Sequence, residues 1–573
     1  MENTIARGPK APKDPTKKRP VIYIMLDDAI EGRPNDVGGF SDVNFLEGRV
    51  EAKVTNLLPE LDRKLAKQLQ TCAGFRKLVH SIGVSVKADK EEDRNKSIEF
   101  AQQCRTAAGY FGTRYATNTV CDGRETLMVV EDFPAVPEET VLAAFNFTFP
   151  SYFTGKVTIA YYLNDGYEVP ELIPDPPVDF ASDAYRIMIE RSCMQTGNLY
   201  RMKKAIAKAK AGEDVTVAYI GGSITQGAGA KPIGTASYAY LSYQAFKKRF
   251  GKGDGSNVHF VKAGVGGTPS ELGLTRYEDD VLRKGTVAPD VLIIEFAVND
   301  AGDETNGVCY ESLALKAMEG PGNPAVILLF SVFQDDYNLQ DNLSRVGYHY
   351  DLPMVSIKNA VTPQFYEDTP VITKRQFFYD LYHPSNEGHV IMADCLDNFW
   401  RLAEEGDTPD TDVDLTKDGV IGNRYRSLKA FGKEDAMEHV KMLSAGSFTG
   451  TDTALQCVEQ DDHAYVTPEF PDHWMYEGNC TPEEMKNFTM TICCKDLLLV
   501  YKDSGDQAFG TVEVLVDGNV TRTVNPLEVG WNHCNAVIVY NSEQAAEHQV
   551  EIRMKAGEEA KKFTVLGFGY TLK

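Results

Sequence analysis

Residues 217–230 read VAYIGGSITQGAGA, and this stretch decides how the central part of the chain folds. A run of apolar residues ends abruptly in Gly221, Gly222 and Ser223. Such an ending predicts a tight turn from a buried strand into a helix. Ser223 then has two interpretations: it caps the helix, or it is a nucleophile that the glycines expose. Residues elsewhere in the chain have to decide between them.

The apolar run VTVAYI at 215–220 is the first of five, each separated from the next by a segment that can hold a helix. The others are VHFVKA (258–263), VLIIEFAV (291–298), AVILLFSVF (325–333) and LPMVSI (352–357). Continuous apolar runs indicate strands buried on both faces, as in a parallel sheet covered by helices. With a helix over 199–212 and a closing helix capped by Ser385, the pattern predicts a three-layer α/β domain over 196–406.

The flanking segments have a different character, as expected for a chain of 573 residues with more than one domain. Helical periodicity at 57–79, strand-like runs at 139–149 and 155–163, and a proline-rich stretch at 169–180 predict an α+β accessory domain over 1–195. Residues 425–573 alternate as strands do, and VDGNV at 516–520 predicts a hairpin. We therefore expect a C-terminal β-sandwich.

Composition excludes several classes of partner. A net charge of −24 disfavours nucleic acid and anionic membranes. The early apolar run VIYIML (21–26) is short for an export signal, and no run approaches a membrane span. Eleven cysteines without a CxxC pair indicate no zinc site and no disulfide framework, and the acidic segment 407–419 lacks the EF-hand pattern. We expect a reduced, cytoplasmic protein without metal or cofactor.

Polar groups follow several of the predicted strands. The segments concerned are AGVGGTPSE (263–271), AVND (297–300) and DLYHP (380–384). Because parallel strands present their carboxyl ends at one edge, these groups should meet Ser223 there. Taken singly, Asn299–Asp300 fits an Asx-turn and His383 a structural histidine. Together they supply a nucleophile, a base, a partner for the base and oxyanion donors, which is the set that acyl transfer needs.

GGSITQG, AGVGGT, AVND and DLYHP resemble, in this order, the four sequence blocks of the SGNH (GDSL-like) hydrolase superfamily over residues 213–405. The resemblance implies Ser223 as nucleophile, His383 as base and Asp380 as its partner. It implies oxyanion donors at Ser223, Gly267 and Asn299, with Gly266 replacing Gly267 if the glycine block shifts by one. Gly222, Lys262 and Ala297 depart from the commonest form of the blocks, and Gly222 is typical of the carbohydrate-esterase branch.

Together with the C-terminal β domain, the blocks are similar to those of bacterial acetyl esterases acting on mannan and xylan. That similarity implies an acetylated, imported oligosaccharide as substrate, bound partly by a carbohydrate-binding-module-like sandwich. Trp474 and Tyr476, in PDHWMYEGN (471–479), are candidates for stacking on sugar rings, and the alternative is that they belong to the core. A short-chain lipid or thioester hydrolase and a non-catalytic carbohydrate-binding protein stay as alternatives. The sequence leaves open whether the chain forms a homo-oligomer.

Overall fold

The structure is a computed structural model that describes residues 18–35, 38–46, 63–106, 111–133, 139–170, 174–461 and 467–572. Within these residues the chain forms three regions, each built on its own hydrogen-bonded sheet. No helix in these ranges combines the length and the apolar character that crossing a membrane requires.

The N-terminal region is an antiparallel sheet with strand order β5-β4-β7-β2-β1-β8-β3-β6. Its strands are β1 (Val21–Pro34), β2 (Phe40–Phe45), β3 (Val79–Ala88), β4 (Ser97–Thr106), β5 (Phe111–Val120), β6 (Asp122–Val129), β7 (Glu139–Phe149) and β8 (Phe153–Leu163). The expected strands at 139–149 and 155–163 are therefore present. Two short helices, α1 (Arg63–Gln68) and α2 (Cys72–Leu78), accompany the sheet.

The predicted helix over 57–79 is broken, because Thr71 adopts an extended conformation and its hydroxyl caps α2 by accepting from the backbone N–H of Gly74. Residues 57–62 of that prediction lie outside the described residues. The expectation of an α+β domain is thus corrected to a mainly β region. Burial alternates along most of β8, and the buried side chains pack in a core that includes Phe100, Phe145 and Tyr161.

The central region has strand order β18-β17-β11-β10-β12-β13-β14-β9. Its strands are β9 (Cys193–Gln195), β10 (Val215–Gly221), β11 (Val258–Gly264), β12 (Val291–Glu295), β13 (Ala325–Phe330) and β14 (Met354–Ser356). Neighbours among β10–β14 pair in parallel, as the five apolar runs predict. Along β10, Val217 and Tyr219 enter one core, whereas Ala218 and Ile220 enter another on the opposite face.

Helices cover both faces of this sheet and form the outer two of the three layers. They are α3 (Asp183–Glu190), α4 (Tyr200–Ala211), α5 (Ser223–Gln226), α6 (Ile233–Ala236), α7 (Tyr238–Phe250), α8 (Ser270–Thr275), α9 (Tyr277–Asp280), α10 (Val308–Glu319), α11 (Gln340–Tyr350), α12 (Ile357–Val361), α13 (Lys374–Phe377) and α14 (Asn386–Glu405). The helix expected over 199–212 ends at Gly212, which has φ 89°. Ser385 caps α14 as predicted, by accepting from the N–H of Gly388.

The expectation of a parallel sheet is wrong at both edges, where the pairing is antiparallel. On one edge β9 pairs with β14, and its helix α3 packs on α14 through Tyr185 and Asp394. On the other edge β17 (Cys457–Gln460) pairs with β11 and with β18 (Thr467–Pro468). Residues 193–195, 457–460 and 467–468 therefore complete the central sheet, although the sequence suggested that they belong to the flanking domains.

The C-terminal strands are antiparallel and share one connected sheet, not the two separate sheets of the expected sandwich. They are β15 (Lys429–Phe431), β16 (Val440–Ser444), β19 (Trp474–Tyr476), β20 (Phe488–Asp503), β21 (Val512–Val516), β22 (Asn519–Val524), β23 (His533–Met554) and β24 (Phe563–Thr571). The two longest strands, β20 and β23, pair with each other from Phe488 to Asp503 and shift register at Cys494/Asp496. The paired strands therefore continue on both sides of the shift and connect the two halves of the sheet. The VDGNV hairpin is present, with positive φ at Asp517 and Gly518.

Candidate active site

Three predicted residues meet at the carboxyl edge of the central sheet. The Oγ of Ser223 lies 2.9 Å from Nε2 of His383. The Nδ1 of His383 lies 2.8 Å from Oδ2 and 3.0 Å from Oδ1 of Asp380. The hydroxyl, the imidazole and the carboxylate are thus connected in a single hydrogen-bonded series.

The two glycines before Ser223 make the strand-to-helix turn. A Cβ at Gly221 would lie 2.5 Å from the backbone oxygen of Glu295, and a Cβ at Gly222 would lie 2.1 Å from Oδ1 of Asn299. Gly222 occupies the N-cap position of α5, and Ser223 is the first helical residue. The capping interpretation of Ser223 is therefore wrong, and its hydroxyl contacts His383 instead.

A closed loop positions Asp380 and His383. The N–H of Tyr379 donates to the carbonyl of His383 at 2.8 Å, and the N–H of Ser385 donates to the carbonyl of Phe377 at 2.8 Å. Within the loop, Oδ1 of Asp380 accepts from the N–H groups of Tyr382 and His383, each at 2.8 Å. The loop leads directly into α14, so the longest helix of the domain anchors the base and its partner.

Opposite charges shift both pKa values in this pair. Burial alone would lower the pKa of His383, but the charge of Asp380 and its hydrogen bond, with a contribution from Glu295, raise it above 6.5. Burial alone would raise the pKa of Asp380, but His383 and the two backbone N–H groups outweigh it, and the pKa is lowered. The arrangement stabilises an imidazolium beside a carboxylate.

Sequence reasoning missed Glu295 and Arg276, two buried charged residues behind the nucleophile. Burial raises the pKa of Glu295 to about 7, and its Oε2 accepts from Oγ1 of Thr225 in α5 at 3.1 Å. The guanidinium of Arg276 donates to the carbonyl of Gly221 at 2.9 Å and to Asp280 at 2.8 Å. Glutamate at the end of the otherwise apolar run VLIIE was a usable signal, whereas Arg276 offered none.

Of the three expected oxyanion donors, Ser223 and Gly267 line the cleft. As the first residue of α5, Ser223 has a backbone N–H without an acceptor within the helix. Gly266 and Gly267 line the same cleft as Ser223, and Gly267 has φ 71°. The side chain of Asn299 contacts Gly222, but Asn299 does not line the cleft, and its Oδ1 is buried without a hydrogen-bond partner.

Gln456 holds the peptide that joins Gly266 to Gly267. Its Nε2 donates to the carbonyl of Gly266 at 2.6 Å, while its Oε1 accepts from the N–H of Cys534 at 2.7 Å. In a trans peptide C=O and N–H point in opposite directions, so this bond turns the N–H of Gly267 away from Gln456. The geometry favours Gly267 over Gly266 as the donor.

Gln456→Ala should therefore lower kcat for p-nitrophenyl acetate by about ten- to a hundredfold, because a misplaced donor stabilises the oxyanion less. Gln456→Glu should lower kcat by a similar factor, because it keeps the oxygen that accepts from the N–H of Cys534 but lacks the N–H that donates to the carbonyl of Gly266. Steady-state kinetics measure the effect. The exposed Gln549 on β23 provides the control, and Gln549→Ala should leave kcat unchanged. A wild-type kcat in both Gln456 variants would contradict this role.

Comparisons with known proteins agree with this geometry. The family model of the GDSL-like Lipase/Acylhydrolase family matches residues 219–391, the segment that carries the three residues of the series. Residues 219–391 form a GDSL-like acylhydrolase domain. The protein is accordingly a carboxylic ester hydrolase. None of the curated proteins is similar enough in sequence to match the chain.

The chain is also similar to solved structures. Two structures of a two-domain esterase active on acetylated mannans, one co-crystallised with mannopentaose, are each 28% identical to the chain, with a TM-score of 0.55. The likeness covers 67% of this chain but 98% and 99% of theirs. About a third of the present chain therefore lies outside it.

The cleft above Ser223 has a volume of about 430 Å³ and is lined by all three regions of the chain. The GDSL-like domain contributes the carboxyl edge of its sheet, including Ser223 and His383. The C-terminal region contributes Trp531, and the N-terminal region contributes Glu31, Arg33, Val43 and Phe45. The N-terminal region, for which the sequence suggested no role in the site, is therefore one wall of the cleft.

Trp474 and Tyr476 do not reach this cleft, which corrects their predicted role in sugar stacking. Trp474 is 4% exposed and Tyr476 is fully buried, and both pack in the C-terminal core. The exposed tryptophan beside the cleft is instead Trp531. It is 46% exposed, and a Cβ at Gly267 would lie 2.9 Å from its ring. No local pattern favoured Trp531 over Trp474, because alternation and turn signals do not show which loop faces another domain.

Among the described residues, one group of side chains has metal-ligand spacing. Glu271, Asp303 and Cys309 are buried, with donor atoms within 4.8 Å of one another. The carboxylate of Asp303 already accepts from the N–H of Thr305 at 2.8 Å and from that of Gly307 at 2.7 Å. None of the three lines the cleft, so we assign this group no part in the reaction.

Proposed function

We propose that the protein is an acetyl esterase that removes O-acetyl groups from mannan-type oligosaccharides through Ser223, His383 and Asp380. The observation that carries the proposal is the hydrogen-bonded series of these residues at the base of a cleft with exposed aromatic rings at its rim. The similarity to a two-domain esterase active on acetylated mannans supports this substrate class over xylan-type oligosaccharides.

In the first half of the reaction, Nε2 of His383 accepts the proton of Ser223 while Oγ attacks the acetyl carbonyl carbon. The negative oxygen of the tetrahedral intermediate is stabilised by the N–H groups of Ser223 and Gly267, which line the cleft. His383 then protonates the leaving sugar oxygen as its bond to the carbonyl carbon breaks, which releases the free sugar hydroxyl and leaves an acetyl group on Ser223. Asp380 holds the tautomer of His383 and stabilises its charge.

In the second half, water replaces the sugar. His383 accepts a proton from water, whose oxygen attacks the acetyl carbonyl, and the same donors stabilise the second oxyanion. The intermediate collapses to acetate, and His383 returns the proton to Oγ of Ser223. The residues of the series thus account for both halves of the reaction.

The polar part of the cleft disfavours the alternative of a lipid or thioester hydrolase. Glu31, Arg33, Gln226 and Lys231 line it beside the aromatic rings, and a long acyl chain would need a continuous apolar channel. Two assays test the proposal: mass spectrometry of acetylated manno-oligosaccharides before and after incubation, and hydrolysis of p-nitrophenyl acetate against the octanoate. Loss of acetyl groups and preference for acetate support it, whereas unchanged oligosaccharides with preferred octanoate hydrolysis contradict it.

The raised pKa of His383 makes a prediction for the pH profile. Protonated His383 cannot accept the Ser223 proton, so kcat/KM for p-nitrophenyl acetate should fall as the pH drops through a value above 6.5. Glu295→Gln removes a carboxylate that helps to raise this pKa; because Glu295, with a pKa of about 7, is only partly ionised in this range, the acid limb should move slightly to lower pH. Glu213→Gln, an exposed glutamate in the same domain, should leave the profile in place. An acid limb below 6.5 in the wild type contradicts the prediction.

A further inference from the structure

Strand β2 of the N-terminal region presents two apolar side chains to solvent beside the cleft. Val43 is 43% exposed and Phe45 is 52% exposed, and both line the cavity above Ser223. Their neighbours Asp42 and Asn44 are buried, as alternation along a strand requires. Exposed apolar side chains at the rim of a polar cleft mark a binding surface.

The buried residues of this strand attach it to the two loops that flank Ser223 and His383. Asp42 forms an ion pair with Lys231 at 2.6 Å, and both side chains are largely buried. Asn44 accepts from the hydroxyl of Tyr379, the residue before Asp380. From β1, Oε2 of Glu31 accepts from the N–H of Ile233 at 2.9 Å. Because the contacts reach both loops, the wall has a defined position relative to the nucleophile.

Exposed aromatic rings from three segments of the chain line the cavity. Phe45 belongs to the N-terminal region, Tyr382 (40% exposed) to the loop that carries Asp380 and His383, and Trp531 (46% exposed) to the C-terminal region. The guanidinium of Arg105 lies 5.8 Å from the centre of the Phe45 ring and supports it. A pyranose ring has apolar C–H faces and a rim of hydroxyl groups, so it matches these aromatic rings together with the polar side chain of Arg33.

We propose that Phe45 is the platform of a sugar-binding subsite, on which a pyranose unit next to the acetylated one packs. The N-terminal region is then a substrate-binding domain of the same active site, contributing oligosaccharide affinity and not chemistry. This inference rests on the proposed function, because it takes an acetylated oligosaccharide as the ligand. It predicts that Phe45 raises kcat/KM for oligosaccharides but contributes little to kcat/KM for small esters, which do not extend to the N-terminal wall of the cleft.

Kinetics of the full-length chain with acetylated mannopentaose and with p-nitrophenyl acetate test the subsite. Phe45→Ala should lower the ratio of kcat/KM for the oligosaccharide to that for the small ester by about five- to tenfold, through a higher KM. Phe45→Trp should restore the ratio, because a larger ring keeps the platform. Leu127→Ala, at a 58% exposed leucine of β6 in the same region, is the matched control and should leave both substrates unchanged.

The outcomes separate the subsite from the proposed function. If the wild type releases acetate from the oligosaccharide and the ratio is the same in Phe45→Ala, the subsite is overturned and the proposed function stands. If the wild type hydrolyses only the small ester, the oligosaccharide is not the ligand and both are overturned. Thermal unfolding of each variant accompanies the kinetics, and an unchanged ratio in a folded Phe45→Ala protein is decisive.

Discussion

Ser223→Ala should lower kcat for p-nitrophenyl acetate by about 10⁴-fold or more, because no other group in the cleft replaces its Oγ. The hydroxyl lies 2.9 Å from Nε2 of His383, and both halves of the proposed reaction form or break the bond from Oγ to the acetyl carbon. Residual hydrolysis should persist above the rate in water, since the oxyanion donors remain. Burst kinetics should also disappear in this variant, because no acetyl-enzyme forms.

The matched control is Ser256→Ala, at an exposed serine in the loop before β11 of the same domain. It should retain the wild-type kcat, and both variants should unfold at the wild-type temperature. Full activity of a folded Ser223→Ala protein would refute the assigned nucleophile. It would also remove the main support for the proposed function.

Asp380→Asn should lower kcat by about 10⁴-fold, the size of effect known for this change in a Ser-His-Asp enzyme. The asparagine Oδ1 can still accept from the N–H groups of Tyr382 and His383, so the loop should keep its shape. Its Nδ2 would then face Nδ1 of His383 and donate to it. That bond places the remaining imidazole proton on Nε2, which can no longer accept the proton of Ser223.

The chain offers a matched control for this substitution in a second Asp–His pair. Oδ2 of Asp517 lies 2.7 Å from Nδ1 of His548 in the C-terminal region, and neither residue lines the cleft. Asp517→Asn makes the same chemical change outside the cleft and should leave kcat as it is. Equal losses in the two variants would show that the effect of Asp380→Asn arises from the fold and not from the tautomer of His383.

Local patterns were sufficient to predict the central strands and the positions of Ser223, His383 and Asp380. Continuous apolar runs predicted β10–β14, and Ser385 with Gly212 predicted helix boundaries, because burial and capping act within a few residues. The positions of Ser223, Asp380 and His383 could be predicted together, since parallel strands place their carboxyl ends on one edge. Each of these features depends on residues within one strand or helix, or on the order of the strands and helices along the chain.

Contacts between distant segments could not be predicted in this way. The antiparallel edges of the central sheet depend on residues 193–195 and 457–460, whose patterns are too short to identify their partner strands. Trp474 and Trp531 are both aromatic residues of an alternating region, and only packing buries the first and exposes the second. Gln456 reaches Gly266 across 190 positions of sequence, a distance at which periodicity carries no information.

The sequence by itself thus determined the parallel strands of the GDSL-like domain and the meeting of Ser223, His383 and Asp380 at its carboxyl edge. Strand burial depends on neighbouring residues, and the order of the blocks along the chain places their polar residues at one edge. The tertiary structure alone decided that three regions form one cleft, with Phe45 and Trp531 at its walls. The physical reason is that domain docking depends on buried pairs such as Asp42 with Lys231, whose partners are 189 positions apart. No local pattern distinguishes such residues from those of an ordinary solvated surface.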